Sequence, residues 1–215
     1  MNVKINSYID HTALKSAVTE EEIERLCLEA KTYNFKSVCV NPCDVKLASK
    51  LLNGSGVKVC TVIGFPLGKN PTSVKVFETK EALADGATEF DMVINVAKLK
   101  EGNEAFVEEE IKAVINSAGG NVVKVIIETG LLTEEEIALA TKIVCKAGAD
   151  FVKTCTGFTG GVATEEAIKI MKANLSGKTQ IKASGGIRTK EDALKFIELG
   201  VSRIGASAGV KIMEE

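Results

Sequence analysis

Short Val- and Ile-rich runs alternate with longer amphipathic segments along the whole chain. The runs predict strands at residues 7–11, 37–40, 57–63, 88–95, 122–128, 150–154, 179–183 and 202–206. Helical spacing of apolar residues predicts helices at 19–34, 43–53, 71–85, 103–118, 133–147, 164–174 and 189–199, followed by a C-terminal segment. Such alternation indicates a parallel sheet whose crossover connections are right-handed.

The number of these strand–helix units limits the possible folds. Eight units in 215 residues are typical of a closed (β/α)8 TIM barrel, which we expect to form a single domain over residues 1–215. A doubly wound open sheet is the alternative, but no G-x-G-x-x-G fingerprint follows the first strand. The chain has only three prolines and no Ser/Pro/Gly tract, so no segment resembles an interdomain linker.

The helix starts share one local signature. Thr19 is followed by Glu22, and Thr133 is followed by Glu136, which is the spacing of a capping box. Looser versions begin at Thr164 and Thr189. These residues predict where four of the helices begin.

Charge and hydropathy exclude several classes of protein. The net charge is −2 with interspersed signs, which argues against binding to nucleic acid or to an acidic membrane surface. No apolar run approaches the ~18 residues that a spanning helix needs, so we expect no membrane insertion and a cytoplasmic location. The six cysteines include no C-x-x-C pair and predict small buried thiols in a reducing compartment.

A metal site is not expected from the residues available as ligands. The only histidine, His11, is predicted to be a structural imidazole on the first strand. A zinc site would then need clustered cysteines, and the spacing of the cysteines along the chain gives no such cluster.

Two lysines occupy unusual positions for this residue type. Lys153 and Lys182 each stand at the carboxyl end of an apolar strand and are followed by glycine-rich segments. A lysine that is desolvated beside another cation becomes a nucleophilic amine, which is the chemistry of a Schiff-base enzyme. The alternative is that both side chains reach water from the strand ends.

A weak internal repeat aligns Asp91 with Lys153. The segments 86–91, 148–153 and 200–205 each begin with glycine and run directly into a strand. Residues of alternate strands share interior layers in a barrel, so both side chains are predicted to point into the barrel. A buried carboxylate needs a charged partner, and Lys153 or Lys182 would provide it.

Glycine-rich loops after the last strands indicate a phosphate site. Gly185 and Gly186 precede a helix N-terminus, and Gly205 and Ser207 lie in the segment that ends the eighth strand. Phosphate sites of these barrels often form from the loops after strands seven and eight. Gly157 begins a loop long enough to face the phosphate or to close over a substrate. Each loop taken alone is also compatible with a simple turn.

Several motifs together resemble the deoxyribose-phosphate aldolase family over nearly the whole chain. They are Asp10-His11-Thr12, residues 62–68, residues 89–95, Lys124–Thr129, Phe151–Thr154 and Lys182–Thr189. The match also places Thr12 among the substrate-binding residues. One departure is Cys155, where the family pattern has serine, and it affects one hydrogen bond.

The resemblance implies a class I aldolase mechanism. Lys153 would form a Schiff base with 2-deoxy-D-ribose 5-phosphate, which is cleaved to glyceraldehyde 3-phosphate and acetaldehyde in deoxyribose phosphate catabolism. Asp91 and Lys182 match the proton-transfer positions, and the charge of Lys182 would also favour the neutral form of Lys153. The iminium is the electron sink, so no metal or organic cofactor is required. The expected ligands are the phosphosugar and acetaldehyde, and a homo-oligomer is compatible with the sequence.

Three other functions share some of these features. A phosphosugar isomerase or synthase would use the same loops without an imine. Another class I aldolase would form the imine on a different sugar. A non-catalytic barrel that binds a phosphorylated metabolite would keep the loops alone.

Overall fold

The computed structural model describes residues 3–215. The strands are β1 Ile9–Ala13, β2 Ser37–Val40, β3 Lys58–Ile63, β4 Glu89–Val93, β5 Val122–Ile126, β6 Phe151–Lys153, β7 Gln180–Ser184 and β8 Arg203–Ala206. The α-helices are α1 Glu20–Tyr33, α2 Val45–Leu52, α3 Thr72–Ala84, α4 Val96–Lys100, α5 Glu104–Ser117, α6 Glu134–Ala147, α7 Glu165–Ala173, α8 Lys190–Glu198 and α9 Gly209–Glu214. Short 3₁₀ helices cover Ile5–Tyr8, Pro42–Asp44 and Thr129–Leu131.

The eight strands form a closed parallel barrel in chain order. Closure comes from β1, which pairs with β2 on one side and with β8 on the other, where Asp10 stands beside Gly205. The prediction of a (β/α)8 barrel is therefore confirmed, and the open sheet is excluded. Residues 1 and 2 of the predicted domain lie outside the described residues.

Only the second predicted strand has the bounds of the structure, and the first and fourth differ most. The first begins at Ile9, because Ile5–Tyr8 forms a 3₁₀ helix. The fourth ends at Val93, because Asn95 caps the additional helix α4 and its side chain accepts the Lys98 N–H at 3.3 Å. The sequence did not predict α4, since a single helical turn leaves too little apolar periodicity.

The predicted helix starts are confirmed. Thr19, Thr133 and Thr189 each form a capping box, in which the threonine and an acidic residue three positions later satisfy each other's backbone N–H. Thr164 accepts from the Ala167 N–H as a simple cap. The acidic residues also face the positive end of the helix dipole.

Strand residues that point outward form the main apolar core with the helices. Phe90 and Met92 of β4 belong to this core and are fully buried. His11 also lies in this shell, where its ring packs against Phe35 and its Nε2 contacts Glu29 Oε2 at 2.7 Å. The alternate residues of the strands, including Asp91, point into the barrel, and these residues form the candidate site.

Membrane insertion has no structural support among the helices. Within residues 3–215, none of them combines the length and the apolar character needed to cross a bilayer.

Candidate active site

Asp91 lies at the centre of the charged groups inside the barrel. Its Oδ2 accepts hydrogen bonds from Lys153 Nζ and Lys182 Nζ, both at 2.7 Å. Its Oδ1 accepts from Lys124 Nζ at 2.8 Å and from the Cys60 thiol at 3.1 Å. The structure thus brings together the three predicted residues Asp91, Lys153 and Lys182 and adds a further lysine.

The strand register explains why these side chains meet. Asp91 of β4 stands beside Lys124 of β5, and Lys153 of β6 stands beside Lys182 of β7. All four residues point into the barrel, where the Lys153 side chain remains slightly exposed and the others are fully enclosed. Lys153 is therefore the lysine of this group that is nearest to solvent.

Two more carboxylates and an arginine extend the cluster below Asp91. Lys182 Nζ lies 2.5 Å from Asp10 Oδ2, and the other oxygen of Asp10 accepts from Arg203 Nε at 2.8 Å. Glu89 Oε2 contacts Arg203 Nη2 at 2.6 Å and Lys124 Nζ at 2.7 Å. We call these seven residues the interior charge cluster: Asp10, Glu89, Asp91, Lys124, Lys153, Lys182 and Arg203.

Asp10 and Asp91 of this cluster stay ionised despite their burial. Desolvation alone would raise the pKa of Asp91, but Lys124, Lys153 and Lys182 outweigh it and hold that pKa well below the usual range. The pKa of Asp10 is also lowered, because Lys182 and Arg203 overcome the effect of burial. Burial would lower the pKa of Lys182, but Asp10 and Asp91 raise it above the ordinary lysine value. Lys182 is thus an ammonium and Asp91 a carboxylate.

Sequence reasoning identified three of the seven residues of this cluster as functional. It missed Asp10, Glu89, Lys124 and Arg203 as interior groups. The available signal was a charged side chain at an inward position of an apolar strand, as in Val122-Val123-Lys124-Val125-Ile126. The same alternation argument that identified Asp91 would have identified Lys124.

Next to this cluster, the part of the barrel interior that β2 and β3 line is apolar. Leu14, Cys39, Cys60 and Val62 form a small buried cluster, against which Phe65 packs. Sequence spacing predicted no clustered cysteines. This expectation is wrong, because Cys39 of β2 and Cys60 of β3 stand side by side in the strand register as free thiols. Their sulfurs and an Asp91 oxygen lie within 4.8 Å of one another. Lysine ammonium groups already contact both oxygens of Asp91, so a metal ion there would meet several cations.

The Cys155 departure from the family pattern keeps a polar contact. The Cys155 sulfur lies 3.1 Å from Oγ1 of Thr129, which begins the 3₁₀ helix after β5. Next to it, the buried Glu128 carboxylate accepts the Thr156 hydroxyl at 2.6 Å and its N–H at 3.2 Å. These contacts tie the segment after Lys153 to the neighbouring strand.

The predicted phosphate loop has the backbone of an anion-binding turn. Gly185 and Gly186 follow β7 with φ values of 94° and 80°, which favour glycine. A Cβ at Gly186 would lie 3.1 Å from Val162 Cγ1. Among residues 3–215, no group accepts the N–H of Gly186 or of Ile187. These donors stand beside the N-terminus of α8, capped by Thr189.

The other predicted binding residues occupy different places around the barrel mouth. Ser207 is exposed directly after β8, and Gly157 is exposed after β6 with a φ of 80°. Gly205 lies within β8, where a Cβ would come within 3.2 Å of Lys182 Cε, so this glycine makes room for the lysine. Thr12 of β1 is half-buried and its hydroxyl donates to the Asp10 carbonyl at 2.8 Å.

Two aromatic residues meet above the interior. Phe65, in the loop after β3, and Phe158, in the loop after β6, pack edge to face with ring centroids 5.1 Å apart. We call the barrel interior between these rings and Lys153 the chamber; its charged half contains the interior charge cluster and its apolar half contains Leu14, Cys39, Cys60 and Val62.

Comparison with known proteins agrees with this geometry. A protein-family profile described as DeoC/LacD family aldolase matches residues 4–213. The chain is 57% identical over 215 residues to deoxyribose-phosphate aldolase 1 of Bacillus licheniformis, covering 100% of this chain and 96% of that protein. It is 55% identical over 212 residues to the deoxyribose-phosphate aldolase of Streptococcus gordonii, covering 99% and 96%.

Solved structures give the same result. An aldolase named QR15 superimposes with a TM-score of 0.93 at 48% identity, covering 98% of this chain and 94% of that one. Deoxyribose phosphate aldolase from Aeropyrum pernix, described as a unique tetramer, gives a TM-score of 0.89 at 35% identity, covering 98% and 89%. The family resemblance indicated by the sequence motifs is confirmed, and the chain belongs to the DeoC/LacD family of aldolases.

Proposed function

We propose that this protein cleaves 2-deoxy-D-ribose 5-phosphate reversibly to glyceraldehyde 3-phosphate and acetaldehyde through a Schiff base on Lys153. The observation that carries the proposal is the pair of 2.7 Å contacts from Lys153 and Lys182 to one oxygen of Asp91. This arrangement puts a nucleophile, an acid and a proton acceptor together at the carboxyl ends of barrel strands, where catalytic residues of this fold are found.

The charge balance of the interior favours Lys153 as the nucleophile. The cluster holds four cations and three carboxylates, so one positive charge is in excess. An uncompensated charge is costly in a poorly hydrated interior, and a neutral amine at one lysine removes it. Lys153 has one carboxylate within 4.0 Å, whereas Lys124 and Lys182 each contact more than one. Lys153 is therefore the lysine with the fewest carboxylate partners, which supports it as the nucleophile.

The reaction then follows from the imine. The Lys153 amine adds to the substrate aldehyde and loses water to give an iminium. The bond between C2 and C3 breaks as the C3 hydroxyl loses its proton, and the bonding electrons form an enamine on C1 and C2. Asp91 and Lys182 transfer the protons, first away from the hydroxyl and then onto the C2 carbon. Hydrolysis of the resulting imine releases acetaldehyde.

The sugar phosphate is proposed to bind at the Gly185–Gly186 turn. Support comes from the free N–H groups of Gly186 and Ile187, the adjacent α8 N-terminus and the exposed Ser207. Gly157, Gly205 and Thr12 complete the proposed binding set. The apolar half of the chamber, near Val62, suits the methyl group of acetaldehyde.

We also propose a cytoplasmic enzyme of deoxyribose phosphate catabolism that assembles with copies of itself. All six cysteines are free thiols, which fits a reducing compartment. The relative from Aeropyrum pernix, described as a tetramer, provides the precedent for self-assembly.

Trapping with borohydride tests the imine directly. The protein is incubated with acetaldehyde or 2-deoxyribose 5-phosphate, reduced, digested and analysed by peptide mass. We expect one adduct, on Lys153, together with release of acetaldehyde from the phosphosugar. Lys153→Arg carries a cation of similar length but cannot form the imine, so both trapping and turnover should vanish.

Other outcomes have defined meanings. An adduct on Lys182 would exchange the roles of the two lysines. Turnover of a phosphosugar without any adduct would indicate an isomerase or synthase and contradict the proposal. Trapping without release of acetaldehyde from 2-deoxyribose 5-phosphate would point to an aldolase for a different sugar.

A further inference from the structure

Lys75 and Glu110 form a buried ion pair behind the active-site strand β4, outside the interior charge cluster. Lys75 of α3 and Glu110 of α5 contact each other at 2.8 Å, and both side chains are 0% exposed. Lysine and glutamate are among the residues least often buried completely. Neither Lys75 nor Glu110 takes part in the proposed reaction.

The pair forms hydrogen bonds with backbone groups next to the site. Lys75 Nζ donates to the Gly68 carbonyl at 2.9 Å and to the Val93 carbonyl at 2.8 Å, in addition to Glu110. The second oxygen of Glu110 accepts the Asn95 N–H at 3.1 Å. All three ammonium protons of Lys75 are therefore used, and they join the loop after β3 to the end of β4.

The loop after β3 is packed directly against this pair. A Cβ at Gly64 would lie 2.7 Å from Lys75 Cε, and a Cβ at Gly68 would lie 2.0 Å from the Ile94 carbonyl oxygen. Between these glycines stands Phe65, which packs on the apolar half of the chamber and against Phe158. The position of Phe65 therefore depends on a loop that Lys75 anchors.

The same contacts reach Asp91 along β4. Val93 follows Asp91 by two residues on the same strand, and Asn95 begins the helix that ends this segment. A shift of the Val93 carbonyl would move the strand that carries the Asp91 carboxylate. Displacements of the order of 1 Å at reacting groups can lower rates by about 10²-fold.

Stability alone does not account for a buried pair of this kind. Burial lowers the pKa of Lys75 and raises that of Glu110, so desolvation exceeds the mutual attraction of the two groups. Replacing buried ion pairs by apolar side chains is often neutral for stability. An apolar replacement would lose the directional hydrogen bonds with Gly68, Val93 and Asn95.

We propose that Lys75 and Glu110 are positioning residues for the aldolase reaction, which hold the end of β4 and the loop carrying Phe65 in register with Lys153. This inference rests on the proposed function. It predicts that the pair acts mainly on the steps after imine formation, since its own hydrogen bonds go to the loop after β3 and the end of β4 and none goes to β6, which carries the nucleophile.

The test is the double variant Lys75→Met/Glu110→Leu, which removes both charges at similar volume. Its folded state is checked by circular dichroism and urea unfolding, and kcat is expressed per folded protein. We expect kcat with 2-deoxyribose 5-phosphate to fall by about tenfold or more, while acetaldehyde trapping on Lys153 stays within about twofold. Glu110→Gln keeps an acceptor for Lys75, so its kcat should lie between those of the wild type and the double variant.

The control is Lys112→Gln/Glu108→Gln, which removes the ion pair between these two residues of the same helix and the contact of Glu108 with Lys146 of α6. This control should leave kcat and trapping unchanged. A folded Lys75→Met/Glu110→Leu protein with wild-type kcat would overturn the inference, and so would equal losses of kcat and of trapping. Absence of an adduct in the wild-type protein would instead overturn the proposed function, so the two failures are distinguishable.

Discussion

At the residue scale, the lysines around Asp91 differ in the number of carboxylates that hold them. Lys153 contacts Asp91 alone, Lys182 contacts Asp91 and Asp10, and Lys124 contacts Asp91 and Glu89. The sequence suggested that Lys182 by itself favours a neutral Lys153. The structure adds Lys124 as a second cation on Asp91, so Lys182 is not the only positive charge near Lys153.

Matched variants separate charge from proton transfer. Lys124→Met and Lys182→Leu each remove one cation, so borohydride trapping on Lys153 should shift to higher pH, by about one unit or more, in both. Only Lys182→Leu also removes the proposed proton donor, so its turnover should stay low even at high pH. Recovery of turnover at high pH in Lys182→Leu would contradict a proton-transfer role. The measurements are trapping yield and kcat from pH 6 to 10.

At the element scale, the loops after the strands contribute different groups to the chamber. The turn after β7 offers the N–H groups of Gly186 and Ile187, and the loop after β3 brings Phe65 over the interior. The loops after β6 and β3 are anchored by side chains of neighbouring segments. Glu128 holds the loop after β6 through Thr156, and Lys75 holds the loop after β3 through Gly68.

The turn after β7 can be tested with a pair of glycine variants. Gly186→Ala adds a methyl group near Val162 beside the proposed phosphate donors, at a φ of 80°. Gly177→Ala introduces a comparable strain at a φ of 64°, but in the loop between α7 and β7 with open space around it. We expect Gly186→Ala to raise KM for 2-deoxyribose 5-phosphate about tenfold and to leave acetaldehyde trapping intact.

The control separates phosphate binding from backbone strain. Gly177→Ala should change neither quantity. A similar KM increase for 2-deoxyribose without its phosphate would show that the turn is structural and does not bind the anion.

At the scale of the whole molecule, the barrel interior is unusual because charged groups occupy much of it. Barrels of this fold fill their interior mainly with branched apolar side chains. Here one half contains the interior charge cluster, and the other contains the apolar group around Cys39, Cys60 and Val62. The stability of the protein should therefore depend on pH through buried carboxylates and cations.

Asp10 is the residue at which this dependence is clearest. Because the pKa of Asp10 is lowered in the folded protein, this residue adds to the free energy of unfolding above the unfolded-state pKa of about 4. The contribution is lost as the pH falls through the folded-state pKa. Asp10→Asn leaves Arg203 and Lys182 short of a buried partner and should cost about 3–5 kcal/mol at pH 7. Urea unfolding should show this difference from wild type shrinking below pH 4. A difference that is constant from pH 7 to pH 3 would contradict the ionised state of Asp10.

Much of the fold could be predicted because it is repeated in the chain. Each unit carries its own signals, such as the capping boxes at Thr19 and Thr133 and the glycine that ends α6. The errors occurred where a signal is short. The 3₁₀ helix Ile5–Tyr8 and the single turn of α4 contain too few residues for periodicity to identify them.

The sequence by itself determined the barrel, the family and the residue types of the reaction, because strand alternation and local motifs are properties of neighbouring residues. Only the tertiary structure decided which charged side chains contact one another. Arg203 reaches Asp10 and Glu89 across the closure of the barrel, and Lys75 reaches Val93 from the helix shell. Such contacts depend on strand register and helix packing between residues far apart in the chain, so no local pattern encodes them.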